Sequence, residues 1–279
     1  MNKELKLATN IDEQITKLVE RGMVIDNVEK AKENLLDIGY FRLGFYWFPF
    51  EKSYPRKRNR DHIFKDGVKF EYAIQLYYFD FDLRNSFLRY ISRIEINFRT
   101  KLIYMAKSFL NSKAFLDAIH DAKNESVVKQ DLDRYGRSYA PAWKIIEYFS
   151  FGVVISLFEN LKDGGLKHDI SKAYGMESST QFSNYINTIR RLRNYCAHGK
   201  VLFDTNLPVA ISNGPIGNLG NRKTMLSGAY YVLKYILGCI SINRQNELVA
   251  SIRKAFSEVD SNIVKMIICD NSGFDIESL

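Results

Sequence analysis

The stretch from Gly67 to Lys107 constrains the fold most. Apolar residues Phe70, Ile74, Tyr77, Tyr78 and Phe81 recur there at three- and four-residue steps, followed by Phe87, Leu88, Ile91, Ile94 and Phe98. That spacing is the period of a helix with one buried face, so the segment forms one long helix or two in line. It carries two acid-to-base pairs four residues apart, Asp80 with Arg84 and Glu95 with Arg99. Pairs in that order support a helix by a few tenths of a kcal/mol, roughly. A chain organised around such a segment has to cover it with other helices.

The flanking sequence offers them. "IDEQITKLVERG" places Ile11, Ile15, Leu18 and Val19 on a helical stripe that Gly22 stops. "DNVEKAKENLLDIGY" has Asp26 followed by Glu29, a capping-box-like start. "YFRLGFYWFPFEK" is aromatic without a period and is expected as a hydrophobic turn packed on the core. Further helices are expected at about 113–135, from Pro141 to just before Gly164-Gly165, over "LKHDISKAYG", at about 180–198, 224–241 and 244–258. Trp143 is expected in the core, and the Gly- and Pro-rich stretch "NLPVAISNGPIGNLGNRK" as a long loop. Only 5 prolines occur in 279 residues, no repeat is visible, and the expectation is an all-α chain. Residues 1–65 read as an N-terminal helical extension with a basic loop, and 66–279 as the main helical domain.

That loop, "EKSYPRKRNRDH", holds Lys52, Arg56, Lys57, Arg58 and Arg60, the densest positive charge in the chain. Most such runs are solvated; some hold phosphates. The formal charge of +8 suits a polyanionic partner without requiring one. Cys196, Cys239 and Cys269 are odd in number and widely spaced, which argues against a disulfide framework or zinc finger and for a reducing compartment. Cys196 is expected as a small buried apolar residue. No apolar run is long and uncharged enough to span a membrane, and no signal peptide is visible, so a cytoplasmic protein is expected. His62, His120, His168 and His198 are scattered, and the "HD" pairs at 120–121 and 168–169 are of a kind common by chance; no metal site is expected.

The stretch "RRLRNYCAHGK", residues 190–200, ends a helix whose apolar stripe is Phe182, Tyr185, Ile186, Ile189, Leu192 and Cys196. At about 100° per residue, Arg193 falls roughly 40° from the centre of that stripe and His198 roughly 180° from it, with Asn194 on the flank of His198. Basic residues at a helix C-terminus suit its dipole, and that is the plain reading.

"RLRNYCAHGKVLFD" nevertheless resembles the R-N-x-C-A-H signature of bacterial abortive-infection proteins of the AbiD/AbiF-like group. Three further blocks resemble that group in the same order, at 21–50, 76–100 and 141–152. The group is similar to the HEPN superfamily, whose active members carry R-x4–6-H and cut RNA without metal. The resemblance implies a HEPN-like helical bundle with added N- and C-terminal helices. It implies a metal-independent endoribonuclease toxin acting in phage defence, working as a homodimer, with RNA as substrate and no cofactor. Arg193 and His198 would be catalytic with Asn194 as the polar residue beside them, and Arg190, Arg191, Lys200, Lys52, Arg56, Lys57, Arg58 and Arg60 would contact RNA. Arg84 and Glu95 would support the site, although helix-stabilising ion pairs explain them as well. Gly199 and Lys200 stand where relatives often have a second histidine and an arginine. Two other functions fit the same residues: an RNA-binding protein that holds a structured noncoding RNA, and an interaction module whose motif is structural.

In the chemistry expected, a base takes the proton of a 2′-hydroxyl, an acid protonates the leaving oxygen, and positive charge steadies the phosphorane-like transition state. Histidine titrates near neutrality and serves acid–base transfer. An arginine fork holds two phosphate oxygens as charge builds.

Overall fold

The computed structural model describes residues 8–105, 125–136, 142–161 and 164–277, and among them every regular element is a helix. The chain is all-α. The segment from Gly67 onward becomes one continuous helix, so the elements run α1 (Ile11–Glu20), α2 (Val28–Ile38), α3 (Tyr40–Trp47) and α4 (Phe70–Met105). They continue with α5 (Ser126–Tyr135), α6 (Ala142–Ile145), α7 (Phe151–Glu159), α8 (Gly164–Lys172) and α9 (Ser179–Ala197). α10 (Leu226–Ile240), α11 (Ile242–Ser257) and α12 (Asn262–Ser272) close the chain.

α4 is the spine, roughly 54 Å long at about 1.5 Å per residue. Its stripe of Phe70, Ala73, Leu76, Leu83, Phe87, Ile91, Ile94, Phe98 and Leu102 is buried. α3, α9, α10, α11 and α12 all pack against it. Around Phe98 the rings of Phe151, Phe158, Tyr174 and Phe182 sit 5.7–6.5 Å away, tying α7, the turn just after α8, and α9 to the spine. One connected apolar core runs from Ile15 to Phe274. No helix among the described residues is long and apolar enough to cross a membrane.

Several local expectations are corrected. α2 is capped by Asn27, whose side chain accepts from the Lys30 amide at 3.0 Å; the Asp26 carboxylate instead receives the Lys69 ammonium at 2.7 Å. In α1 the buried residues are Ile15 and Leu18, and Val19 is exposed. The aromatic stretch is not a turn but helix α3 followed by one 3-10 turn at Phe48–Phe50. It hides Leu43, Tyr46 and Trp47 on one side and leaves Phe41 and Phe45 in an edge-to-face pair on the other, so apolar residues on both faces conceal the period. The helix expected between Pro141 and Gly164 is broken: Ser150 accepts from the Val153 amide and starts α7 afresh, and Gly164 and Gly165 open α8 rather than follow a helix end. Trp143 is 62% exposed, and Ile145, Ile146 and Phe149 do the packing expected of it. Of the helix expected at 113–135 only α5 lies within the described residues, and His120 and Asp121 lie outside them. α12 is an addition, started by Ser261 accepting from Val264 and buried through Val264 and Ile268.

Candidate nucleic-acid site

α9 begins at Ser178, whose side chain accepts from the Gln181 amide, and buries the stripe expected of it. Its end answers why an asparagine, a histidine and a glycine crowd together. His198 is the last residue before the helix breaks; Gly199 follows in the left-handed region with φ +62°. The Gly199 amide donates to the Cys196 carbonyl at 3.1 Å and the Lys200 amide to the Tyr195 carbonyl at 2.8 Å. This is the Schellman closure of a helix, which favours glycine where Gly199 stands. His198 is left exposed on a terminated helix end.

The next residues are held by α4. The Asp80 carboxylate, fully buried, accepts from the Leu202 amide (2.9 Å), the Phe203 amide (2.9 Å), the Tyr46 hydroxyl (3.0 Å) and the Arg84 guanidinium (2.8 Å). Arg84 also reaches the Lys200 carbonyl at 3.4 Å, and Tyr46 accepts from Arg42 at 3.0 Å. Burial pushes the Asp80 carboxyl up from its ordinary value, while the Leu202 amide and Arg84 pull it back. Arg84, which burial works to lower, ends raised by that carboxylate. These directions disagree on whether the pair is charged. Every neighbour of the carboxylate is a donor, so the ionised form is the one the geometry accommodates. Sequence spacing alone had offered Asp80 and Arg84 as a helix-supporting pair. The pair forms, and its larger role is to fix the chain just after His198. Tyr46 is therefore a supporting residue that sequence reasoning missed, and Asp80, read there only as half of a helix-supporting pair, is the group that anchors the chain. A signal was available: Asp80 stands four residues after Leu76 and three before Leu83, on the buried stripe.

A cleft of about 840 Å³ opens beside His198. It gathers Arg42 from α3, Lys57 and Arg60 from the basic loop, and His198 and Lys200 from the end of α9. Asp204 also lines it, 3.6 Å from the Lys57 ammonium. The Lys200 ammonium stands 3.7 Å over the Tyr195 ring. The other loop cations are placed differently. Arg60 binds the buried Glu51 carboxylate through two nitrogens and lies 4.2 Å over the Phe48 ring. Lys52 pairs with Asp66 at 3.5 Å, and Arg56 and Arg58 lie outside the lining.

Arg193 faces elsewhere. With Arg190, Asn194, Ser150, Phe151 and Gly152 it lines a separate notch of about 280 Å³. Its guanidinium is 3.5 Å from the Asn194 side-chain oxygen. A Cβ on Gly152 would stand 3.3 Å from a terminal nitrogen of Arg190, so the glycine leaves room for that side chain over the first turn of α7. The Arg190 Nε is buried with no hydrogen-bond partner among the described residues. Arg191 lines neither hollow. Glu95 accepts from Arg99 at 2.9 Å, and Arg99 donates to the Phe149 carbonyl at 2.8 Å. Glu95 therefore acts on the start of α7, and Arg84 on the Lys200–Phe203 segment; both bear on the site through backbone and neither through Arg193.

Cys196 is buried, which pushes its thiol up to about 12 and leaves it un-ionised and inert. Among the described residues no group of His, Cys, Asp and Glu side chains is arranged to hold a metal ion. A family model described as Abi-like protein matches residues 33–204, more than half of the chain, from α2 through the segment that Asp80 holds. No curated protein and no solved structure matches the chain.

Proposed function

The chain belongs to the Abi-like protein family, and from that premise we propose that it acts in abortive-infection defence by binding RNA in the His198 cleft and cutting it there. One observation carries the reading: cations from three separated stretches, Arg42, Lys57 and Lys200, line one cleft together with the exposed His198. Basic groups gathered around a concave surface hold a phosphate backbone without reading its sequence.

Cutting follows from the same groups. His198 removes the proton from a ribose 2′-hydroxyl, and that oxygen attacks the adjacent phosphorus. Lys200 and Lys57 steady the charge that builds on the phosphoryl oxygens, and the 5′-oxygen leaves with a proton, giving a 2′,3′-cyclic phosphate and a free 5′-hydroxyl. Within one chain Arg193 and His198 line different hollows. The active unit is accordingly a homodimer in which the Arg193 notch of one copy faces the His198 end of the other. The dimer supplies the second histidine for the second proton transfer.

The separation of Arg193 from His198 also favours a second reading, in which the cleft holds a structured noncoding RNA and cuts nothing. Photocrosslinking of bound RNA, with peptide mapping, tests the shared part. Crosslinks in residues 42–60 and 198–206 are expected under both readings. Crosslinks confined to other surfaces would remove the cleft from both.

A further inference from the structure

Beyond residue 204, where the family match ends, the loop after Phe203 closes against α10 and α11 around another cleft, of about 660 Å³. Leu219, Arg222, Tyr231, Lys234, Tyr235 and Gln245 form its walls. Two cations line it and no carboxylate does, among the described residues. Both are half-buried. Arg222 donates to the Tyr231 hydroxyl at 3.3 Å, and the Lys234 ammonium stands 5.9 Å from the Tyr230 ring centroid; both of these neighbours are neutral. Two like charges, partly withdrawn from water, line the same hollow, and an anion bound there would offset both.

The remaining walls are built rather than incidental. The Tyr235 hydroxyl donates to the Tyr174 carbonyl at 3.0 Å, which fixes that ring. The Gln245 amide donates to the Lys234 carbonyl at 3.0 Å and occupies the space that a side chain at Gly238 would fill. Gly217 and Gly220 turn the rim of the loop with φ +78° and +54°. A hollow of this size holds a small organic ligand, and hollows of roughly 300–1,000 Å³ are usual for such ligands. Tyrosine faces and apolar Ile216 and Leu219 suit a flat ring; Arg222 and Lys234 suit a phosphate.

We propose that this cleft binds a nucleotide, its phosphate between Arg222 and Lys234 and its base against the tyrosines. The nucleotide is either free or one residue of an RNA strand, and the chemistry of recognition is the same for both. The cleft shares no lining residue with the His198 cleft, so the proposal stands apart from RNA cutting.

Isothermal titration of the full chain with AMP, GMP, CMP, UMP, inorganic phosphate and a short oligouridine tests it, on wild type, Arg222→Gln, Lys234→Met and the double variant Lys57→Ala/Lys200→Ala. At least one mononucleotide is expected to bind wild type saturably, with affinity at least tenfold lower in both Arg222→Gln and Lys234→Met and unchanged in the double variant. Oligouridine binding that Arg222→Gln and Lys234→Met weaken at least tenfold, without mononucleotide binding, would assign the cleft to an RNA strand. Mononucleotide binding that Arg222→Gln and Lys234→Met leave intact would overturn the proposal, as would no mononucleotide binding together with oligouridine binding that those two variants do not weaken. Among the described residues Lys234 donates no hydrogen bond to another side chain, so its variant keeps the test valid if Arg222→Gln loosens the loop.

Discussion

Asp80, in the first third of α4, accepts from the backbone amide of Leu202 at 2.9 Å, so a carboxylate from the spine of the fold positions the chain four residues beyond His198. The carboxylate is fully buried and Arg84 is its ionic partner. Asp80→Asn keeps the shape but turns amide hydrogens toward donors and leaves Arg84 uncompensated. Breaking one side of a buried pair costs about 3–5 kcal/mol. Denaturant unfolding of Asp80→Asn is expected to show a loss of that order, and a change within about 0.5 kcal/mol, the range of ordinary surface substitutions, would refute the anchoring role.

Two arginines of similar sequence context are expected to behave differently. Arg60 is committed to Glu51, which is 1% exposed, whereas Arg58 lies outside the cleft. Arg60→Ala strands a buried carboxylate and is expected to destabilise the fold by about 3 kcal/mol, the low end for a broken buried pair because Arg60 is partly solvated. Arg58→Ala is expected to leave both stability and RNA affinity unchanged. Thermal unfolding beside RNA titration separates the two.

Lys57 and Lys200 line the His198 cleft from opposite ends of the sequence. If both meet phosphates, Lys57→Ala/Lys200→Ala weakens RNA binding at all sequences alike. The slope of log affinity against log salt falls by roughly 0.7 for each phosphate of a single strand that is no longer neutralised. An unchanged slope would place the RNA elsewhere.

His198→Ala chains mixed with wild type under conditions that exchange subunits are expected to poison it. The site takes a histidine from each copy, so a mixed dimer is inactive and only dimers of two wild-type chains cut. At equal amounts random exchange leaves about a quarter of the dimers fully wild-type, so activity near a quarter of an all-wild-type sample supports a site built across the interface. Activity near half, with mixed dimers verified by mass, would place the whole site within one chain.

Gly199 holds φ +62° with open space where a side chain would stand. Gly199→Ala is therefore a purely conformational change, expected to cost about 1 kcal/mol and to lower activity more than stability by shifting His198 against Lys200. Unfolding and RNA-cutting rates measured on the same preparation check the two effects together.

Much of the architecture was legible because a buried stripe leaves a period: α4, α9, α10 and α11 all follow theirs. α3 was not, since Phe41 and Phe45 keep apolar residues on its exposed side and blur the pattern. The break at Ser150 was obscured by continuous hydrophobicity on both sides of it. At the site, spacing correctly set Arg193 and His198 on different sides of α9, because angle per residue is local geometry. Spacing could not reveal that Lys57 lines the same cleft as His198, or that Asp80 reaches Leu202, since both depend on how distant segments pack.

The most direct test of the account is incubation of total bacterial RNA with purified wild type and His198→Ala in excess EDTA, with the new ends mapped. Cutting by wild type alone, leaving 2′,3′-cyclic phosphates and 5′-hydroxyls, is the predicted result. Equal cutting by His198→Ala, or no cutting by a folded wild type that still binds RNA, would contradict it.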